Sequence, residues 1–433
     1  MTAPTVPLIV CRGDEYHSAG EVFGQMATDT VTTHSVLVTV LTNFAGMAGD
    51  DSVGAQWAAS YDEAAQLAVS ASSKLATACG QVRDLVVVGA HNHEVAEAAA
   101  NLKDLPPPPV PPLLPDPCLP ETAPSAAGNG IPEPFGWSII KDVVGMAWPN
   151  GHQDQLNSAA TAWHTAAADY RTVAGQAPQA VDLLRNQQSP EIDIAAQTCT
   201  DRQADLNALA DACQTLGDAC SDYAQSLDDA HSKILDTLRE LVIETAAAET
   251  AFAVLAPFTG TISEWVGNSA MAARIGLKAR RITTIIGELA TKAAKFITEA
   301  VKPLTERLKP LLERIRTWVE QARIRLTGGG AGSAGLNWEK ISGLVRDAAK
   351  GKGNFGIGDG TVQEAEAAGR AWVGPNAKVA SDGKTLVSED GLRQFRPPSF
   401  KPNLGRYQSN FEWRNVANGQ WQGNGHLNVT DLP

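Results

Sequence analysis

The chain has 433 residues, 43% of them apolar and 19% charged, and a formal net charge of −13. It is too apolar for a disordered polymer and too polar for a membrane bundle, and its length allows roughly two to four domains. The charge is unevenly spread: residues 1–263 carry 10 Lys and Arg against 32 Asp and Glu, residues 264–326 carry 13 against 6, and residues 336–433 carry 12 against 10. Regions with such different electrostatics read as a modular chain. Tyr (5) and Phe (10) are sparse and Ala dominates the first 300 residues, which favours long helices over sheets.

The opening MTAPTVPLIVCRGDEY has no basic n-region and only a short apolar stretch broken by Pro7, so no cleavable signal peptide is expected. The segment from Leu241 to Phe258 is interrupted by Glu244 and Glu249. It falls short of the roughly 20 uncharged apolar residues of a membrane span. The cysteines are Cys11, Cys79, Cys118, Cys199, Cys213 and Cys220, with no zinc or redox spacing. They read as small core residues, with cross-hairpin disulfides the alternative.

Residues Ala19, Phe23, Met26, Thr30, Thr33, Leu37, Val40 and Phe44 alternate spacings of four and three, which lines one face of a helix. After the turn GMAGDDSVG a second stripe runs through Trp57, Tyr61, Ala64, Ala68, Ala71, Leu75, Ala78, Val82 and Val86. The spacing predicts a helical hairpin over residues 1–105 whose apolar seam looks for a partner. Residues 106–134 hold 12 of the 25 prolines, so 106–136 reads as a stiff, extended linker. After WPNG (148–151), Leu156, Ala160, Trp163, Ala167, Tyr170 and Ala174 begin a second hairpin, 137–263, with a break at Pro178. Its answering stripe is Leu206, Leu209, Cys213, Leu216, Cys220, Tyr223, Leu227, Ala230 and Ile234. Residues 264–327 are basic and amphipathic and repeat KPLTERL as KPLLERI; they read as a solvated stalk, with a membrane-active helix the alternative. GGGAGSAG (328–335) is a flexible linker.

Beyond it the pattern changes. Thirteen of the 83 residues from 351 to 433 are Gly, and turn signals recur at SDG, EDG, PP, NG and NG. The fold class expected is therefore multidomain: all-α hairpins and a helical stalk, then a small α+β domain over 336–433.

The first hairpin, with Trp57 near the interhelical turn, resembles the WXG family of type VII secretion substrates of actinobacteria. The turn reads Trp57-Ala58-Ala59, without the family's Gly, and no Tyr is followed four residues later by an acid. Tandem hairpins, proline linker and WPNG are similar to the front of mycobacterial secreted toxins. That resemblance implies export by type VII machinery with a small WXG partner on the N-terminal helices. The C-terminal stretches NFGIGDGTVQEAEAAGRAWVGPNAK, SDGKTLVSEDGLRQFRPPSFKPNLG and QSNFEWRN with WQGNGHLNV resemble the toxin cassette of polymorphic bacterial toxins, including LXG and contact-dependent inhibition proteins. The cassette implies a secreted nuclease, chiefly an RNase, that acts in a target cell's cytoplasm and is blocked by a dedicated immunity protein.

The last domain has no Cys and a single His, His426, so neither a zinc site nor a Cys nucleophile can be built from it. An acid/base site that needs no metal or cofactor suits RNA, whose 2′-OH is an internal nucleophile. In NFEWR the aromatics Phe411 and Trp413 alternate with Asn410, Glu412 and Arg414; in WQGNGHLNV, Leu427 and Val429 leave Asn424, His426 and Asn428 opposite. Glu412 and His426 thus converge on one hairpin face, with Arg414 as phosphate clamp, provided that the loop at Asn418-Gly419 is odd or bulged. Glu as base, His as acid and Arg as clamp resembles barnase-like microbial RNases. Lys384, Arg393, Arg396, Lys401 and Asn424 are the candidate RNA-binding residues, since six cations face three acids over 384–414. Asp382 and Asp390 read as turn formers. A DNase, or a non-enzymatic effector with membrane-active helices, is the rival reading.

Overall fold

A computed structural model describes residues 9–100, 108–248, 269–327, 338–374, 377–417 and 419–432. The Gly-rich linker, most of the segment following Leu241, and Asn418 of the expected turn lie outside them. The layout is all-α followed by α+β. Helices α1 (Gly13–Thr42), α2 (Ser52–Ala100), α3 (Trp137–Val144), α4 (Gln153–Ala174), α5 (Ala177–Arg185) and α6 (Ile192–Ala248) build the front, and α7 (Ser269–Phe296) and α8 (Lys302–Thr327) lie on it. The C-terminal unit holds α9 (Trp338–Lys350), β1 (Gly353–Gly360), α10 (Val362–Val373), β2 (Lys378–Val379), β3 (Leu386–Val387), β4 (Arg393–Lys401), β5 (Arg406–Trp413) and β6 (Gly423–Val429).

The sequence predicts a first seam open to a separate partner; the structure covers it with the chain's own second hairpin. Trp57 stacks on Tyr61 at 4.9 Å and on Tyr223 at 4.7 Å, and Trp163 donates its indole N–H to the Tyr61 hydroxyl at 2.7 Å. Both hairpins therefore bury their stripes against each other, as two complementary apolar faces must in water. The junction is keyed at the turns. Asn150 of WPNG accepts from the Asp50 and Asp51 amides at 3.0 and 3.2 Å, and its own amide donates to Asp51 Oδ2. Gly49 sits beneath it at φ 79°, where a Cβ would meet Asn150 Oδ1 at 2.1 Å.

Two other expectations need correction. The proline-rich segment is extended but is tied down along α2. Asp84 accepts from the Leu114 amide, Arg83 donates to the Pro112 carbonyl, and Asp62 binds Ser125 and Ala126. Nor is the basic region a solvated stalk. Its apolar stripe, with Ile282, Ile286, Leu304, Leu308 and Ile315, is buried in the same core as the hairpins. Its cations meet front-half acids: Lys278 with Glu240 and Glu244, Lys309 with Glu63, Arg314 with Asp205, Arg323 with Asp116. The positive charge of the basic region thus offsets part of the front's larger negative charge in place. Among the described residues no helix is long and apolar enough to cross a membrane. All six cysteines are free thiols; Cys79, Cys199, Cys213 and Cys220 are buried, and burial pushes Cys79 and Cys199 up to about 12.

The C-terminal unit has a second core. Its sheet runs β1-β6-β5-β4-β3-β2, with β1 parallel to β6 and the remaining pairs antiparallel. Helices α9 and α10 cover one face, contributing Ile341, Leu344 and Trp372 against Phe395, Phe411, Trp413 and Leu427. Thr361 and Glu364 close a reciprocal capping box that starts α10 directly after β1. Gly369 brings α10 close to the sheet, since a Cβ there would meet the Phe395 ring at 2.4 Å.

Trp163→Ala tests the mutual burial of the hairpins. Removing a fully buried indole and its hydrogen bond to Tyr61 should lower unfolding free energy by about 3–5 kcal/mol in chemical denaturation. A loss below about 1 kcal/mol would mean that the seams do not stabilise each other.

Candidate active site on the terminal sheet

Strands β5 and β6 place Glu412 opposite Asn424, Asn410 opposite His426 and Gln408 opposite Asn428. Because side chains alternate along a strand, these six share the face opposite the helices, while Phe411, Trp413 and Leu427 are buried beneath α9 and α10. The connection, residues 414–422, is nine residues long, an odd number that keeps the two polar sets in step. Gly423 fixes the register at the strand end. A Cβ there would meet Trp413 Nε1 at 2.2 Å and the Gly351 carbonyl oxygen at 2.6 Å.

On the other side of β5, Gln394 lies opposite Glu412 and Arg396 opposite Asn410; after a register shift, Ser399 lies opposite Gln408 and Lys401 opposite Arg406. The shift falls at Pro397-Pro398, which cannot donate to the ladder. Without the extra residue Lys401 would face the core. The bulge turns it onto the polar face with Arg396.

Glu412 is only 4% exposed. Its Oε2 accepts from Gln394 Nε2 at 2.5 Å and lies 3.2 Å from Arg396 Nε. Burial pushes its carboxyl above the ordinary range, against the opposing pull of Arg396, Gln394 and Lys401. Burial pushes the His426 imidazole down, and the charge of Lys401 adds to that. Lys401 thus acts electrostatically on both groups. Between them, Asn410 Nδ2 lies 2.9 Å from Asn424 Oδ1 and 3.1 Å from His426 Nδ1. Asn424 Nδ2 continues the row to Asn354 of β1 at 3.0 Å, and a second row runs from Gln408 through Asn428 to Asp359 at 2.8 and 2.7 Å. The face is therefore divided, with cations on β4, Glu412 and His426 on β5 and β6, and amides towards β1. Among the described residues no three His, Cys, Asp or Glu side chains are grouped so as to hold a metal ion.

The candidate residues separate accordingly. Glu412, His426, Asn424, Arg396 and Lys401 share the polar face. Arg414, expected as the clamp, is engaged elsewhere. Its guanidinium donates to the Gly391 and Gly419 carbonyls at 2.7 and 3.2 Å and lies 4.3 Å over Trp421, so it ties two turns together. The cation on Glu412 is Arg396. Arg393 lies opposite Trp413, on the helix-covered face, with Asp390 at 3.8 Å. Lys384 is exposed in the turn joining the outer strands β2 and β3. Asp382 is a turn former, its carboxylate held at about 2 by the Thr385 hydroxyl and backbone amides. Sequence reasoning placed Asn410 on this face without a role and missed Gln394. The alternation of Gln394 and Arg396 around the apolar Phe395 was the available signal.

Arg414→Ala should therefore cost about 1–3 kcal/mol of stability in chemical denaturation, the loss of two charge-assisted bonds. Arg396→Ala, which leaves the buried Glu412 without its cation, should cost at least as much. Unchanged stability in Arg414→Ala would mean that these bonds do not tie the two turns together.

A family model described as a WXG100 like domain matches residues 130–275. The match covers the second hairpin, whereas Trp57, which carries the resemblance in the sequence, lies on the first. Two relatives, each named an outer membrane channel protein CpnT, come from Mycobacterium bovis and Mycobacterium tuberculosis. Each is 34% identical over 210 residues, 48% of this chain and 25% of theirs. A putative NAD(+)–arginine ADP-ribosyltransferase Mav of Mycobacterium avium is 35% identical over 177 residues, 40% of this chain and 20% of its own. The chain thus spans about a quarter or less of the length of these relatives. No solved structure matches it. Residues 130–275 are thus similar to a WXG100 like domain, and the chain is similar over part of its length to these mycobacterial proteins.

Proposed function

We propose that the C-terminal unit is an endoribonuclease that needs no metal, carried behind a helical front exported by a type VII system, and that the chain is a secreted antibacterial toxin. The observation that carries this reading is the juxtaposition of Glu412, His426, Arg396 and Lys401 on one polar sheet face. The ionised Glu412 takes the proton of the ribose 2′-OH, which attacks the adjacent phosphorus. His426, protonated, gives its proton to the departing 5′-oxygen. Arg396 and Lys401 are fixed cations for the charge that develops on the phosphorane. DNA lacks the internal nucleophile, so a DNase reading needs a separate water for Glu412 to activate. The rival membrane-active reading loses its main support, because the apolar stripes of α7 and α8 are spent on the helical core.

The names of the relatives describe proteins matched over a quarter of their length or less, so neither channel formation nor ADP-ribosyl transfer is carried over. The WXG100-like domain supports export by type VII machinery. With the seam of the first hairpin covered internally, a small WXG partner would have to dock elsewhere on the front. A cytosolic target requires that a producing cell protect itself, and an acidic immunity protein fits the cations of β4.

Purified chain incubated with total RNA in EDTA should cleave it, and Glu412→Gln and His426→Ala should each slow cleavage by about 10²- to 10⁴-fold. Both side chains lie on the polar face, so circular dichroism should remain unchanged. Intact RNA with the wild-type chain, or cleavage that persists in both variants, would contradict the reading.

The pH profile follows from the two shifts. Activity needs Glu412 deprotonated, and burial raises its pKa, so the acid limb moves up. It also needs His426 protonated, and burial with Lys401 lowers its pKa, so the alkaline limb moves down. The result is a narrow bell peaking between the ordinary carboxylate and imidazole values, roughly pH 4.3 to 6.5. Lys401→Ala should shift the alkaline limb upward. A broad plateau through neutral pH would contradict this assignment.

A further inference from the structure

Asn410 stands between the two groups assigned to catalysis, and its hydrogen bonding is incomplete. It is 5% exposed, its Nδ2 serves both Asn424 Oδ1 and His426 Nδ1, and its Oδ1 is buried with no hydrogen-bond partner. In this arrangement His426 Nδ1 accepts, so the ring is neutral and carries its proton on Nε2. The imidazolium that the proposed reaction needs has a proton on Nδ1 as well, and an N–H aimed at an amide N–H₂ is repulsive. An acceptor is within reach only if the carboxamide turns by 180° and presents Oδ1.

That turn brings Oδ1 against Asn424 Oδ1, so Asn424 must turn too and offer its Nδ2, which in turn requires Asn354 to present its own Nδ2. Asn354 lies on the exposed β1 edge, where water satisfies either end of its amide. The row therefore has two self-consistent directions.

We propose that Asn410, in series with Asn424 and Asn354, is a positioning residue for His426, and that the three carboxamides reverse together when the imidazole gains its second proton. The row holds the neutral ring in the Nε2–H form and supplies the acceptor for Nδ1–H while Nε2 donates to the leaving oxygen. The inference rests on the nuclease reading for its role in catalysis, though not for its hydrogen-bond chemistry. The charged groups on the same face are Glu412 and Arg406 of β5, Arg396 and Lys401 of β4, and Asp359 of β1.

The test is a titration of the full chain labelled with ¹⁵N and ¹³C in histidine rings, the His426 signals being identified among the eight histidines by their loss in His426→Gln. The decisive variant is Asn354→Asp. A carboxylate can only accept, so it fixes Asn424 and Asn410 in the direction that opposes protonation. His426 should then lose proton affinity by about threefold or more, although the added negative charge alone would raise it. Asn410→Asp, which places an acceptor on Nδ1 permanently, should raise the affinity at least about tenfold and move the neutral ring towards the Nδ1–H form in its ¹⁵N shifts. A rise in Asn354→Asp overturns the relay, as does an unchanged titration in Asn354→Asp. The exposed position of Asn354 keeps that variant interpretable if Asn410→Asp fails to fold. RNA cleavage is followed separately in the same samples. Its absence from the wild-type chain counts against the nuclease, while the titration alone decides the relay.

Discussion

Strand β5 presents Asn410 and Glu412 to one face because Phe411 and Trp413 are held on the other, and everything at the candidate site depends on that parity. A strand displaced by one residue turns every side chain over, so the site exists only in one register. Three features hold that register. Phe411 packs on Phe395 with ring centroids 5.1 Å apart, Trp413 donates to the Gly351 carbonyl at 3.0 Å, and Gly423 leaves room for the indole at the strand end. The Pro397-Pro398 bulge then uses the same rule in reverse, moving one residue out of phase so that Lys401 joins Arg396. Polar side chains in the centre of a sheet are costly unless paired, and here Gln394 serves the buried acid, Asn410 the imidazole and Asn424 the amide of Asn410.

What was legible in the sequence follows from the range of the interactions involved. The alternation in NFEWR and in NGHLNV is local, and it placed Glu412 and His426 on one face. The need for an odd loop followed from counting. Arg414 continues the same alternation, but it lies past the strand end, where its partners come from the turn at Gly391 and from Trp421. No local pattern reports such contacts. Pro397-Pro398 reads as a turn in isolation and becomes a bulge only because strands continue on both sides of it, which is why Arg393 and Lys401 fell on opposite faces unforeseen.

The front half shows the same division. All four helical stripes were readable from spacing, and so was the amphipathic character of residues 264–327. Which face meets which was not readable, because two Ala-rich seams with interspersed Trp and Tyr are as suited to each other as to an outside partner. The decisive contacts, Trp57 with Tyr223 and Asn150 with Asp51, join residues 166 and 99 positions apart. The basic helices likewise find their acids across the chain, and ion pairs such as Lys309 with Glu63 are too exposed to drive docking alone. The buried Ile and Leu stripe supplies that drive, and the charges select the orientation.

The central claim, that one sheet face cleaves RNA through its own 2′-OH, is tested most directly by the chemistry of the products. Purified chain, an RNA oligonucleotide and EDTA are incubated, and the new ends are identified by mass spectrometry. In-line attack by the 2′-oxygen predicts 2′,3′-cyclic phosphate and 5′-hydroxyl ends, and no cleavage where the nucleotide 5′ to the scissile phosphate is 2′-deoxy. Ends bearing 5′-phosphate and 3′-hydroxyl, or cleavage of the deoxy-substituted strand at that position, would contradict the account.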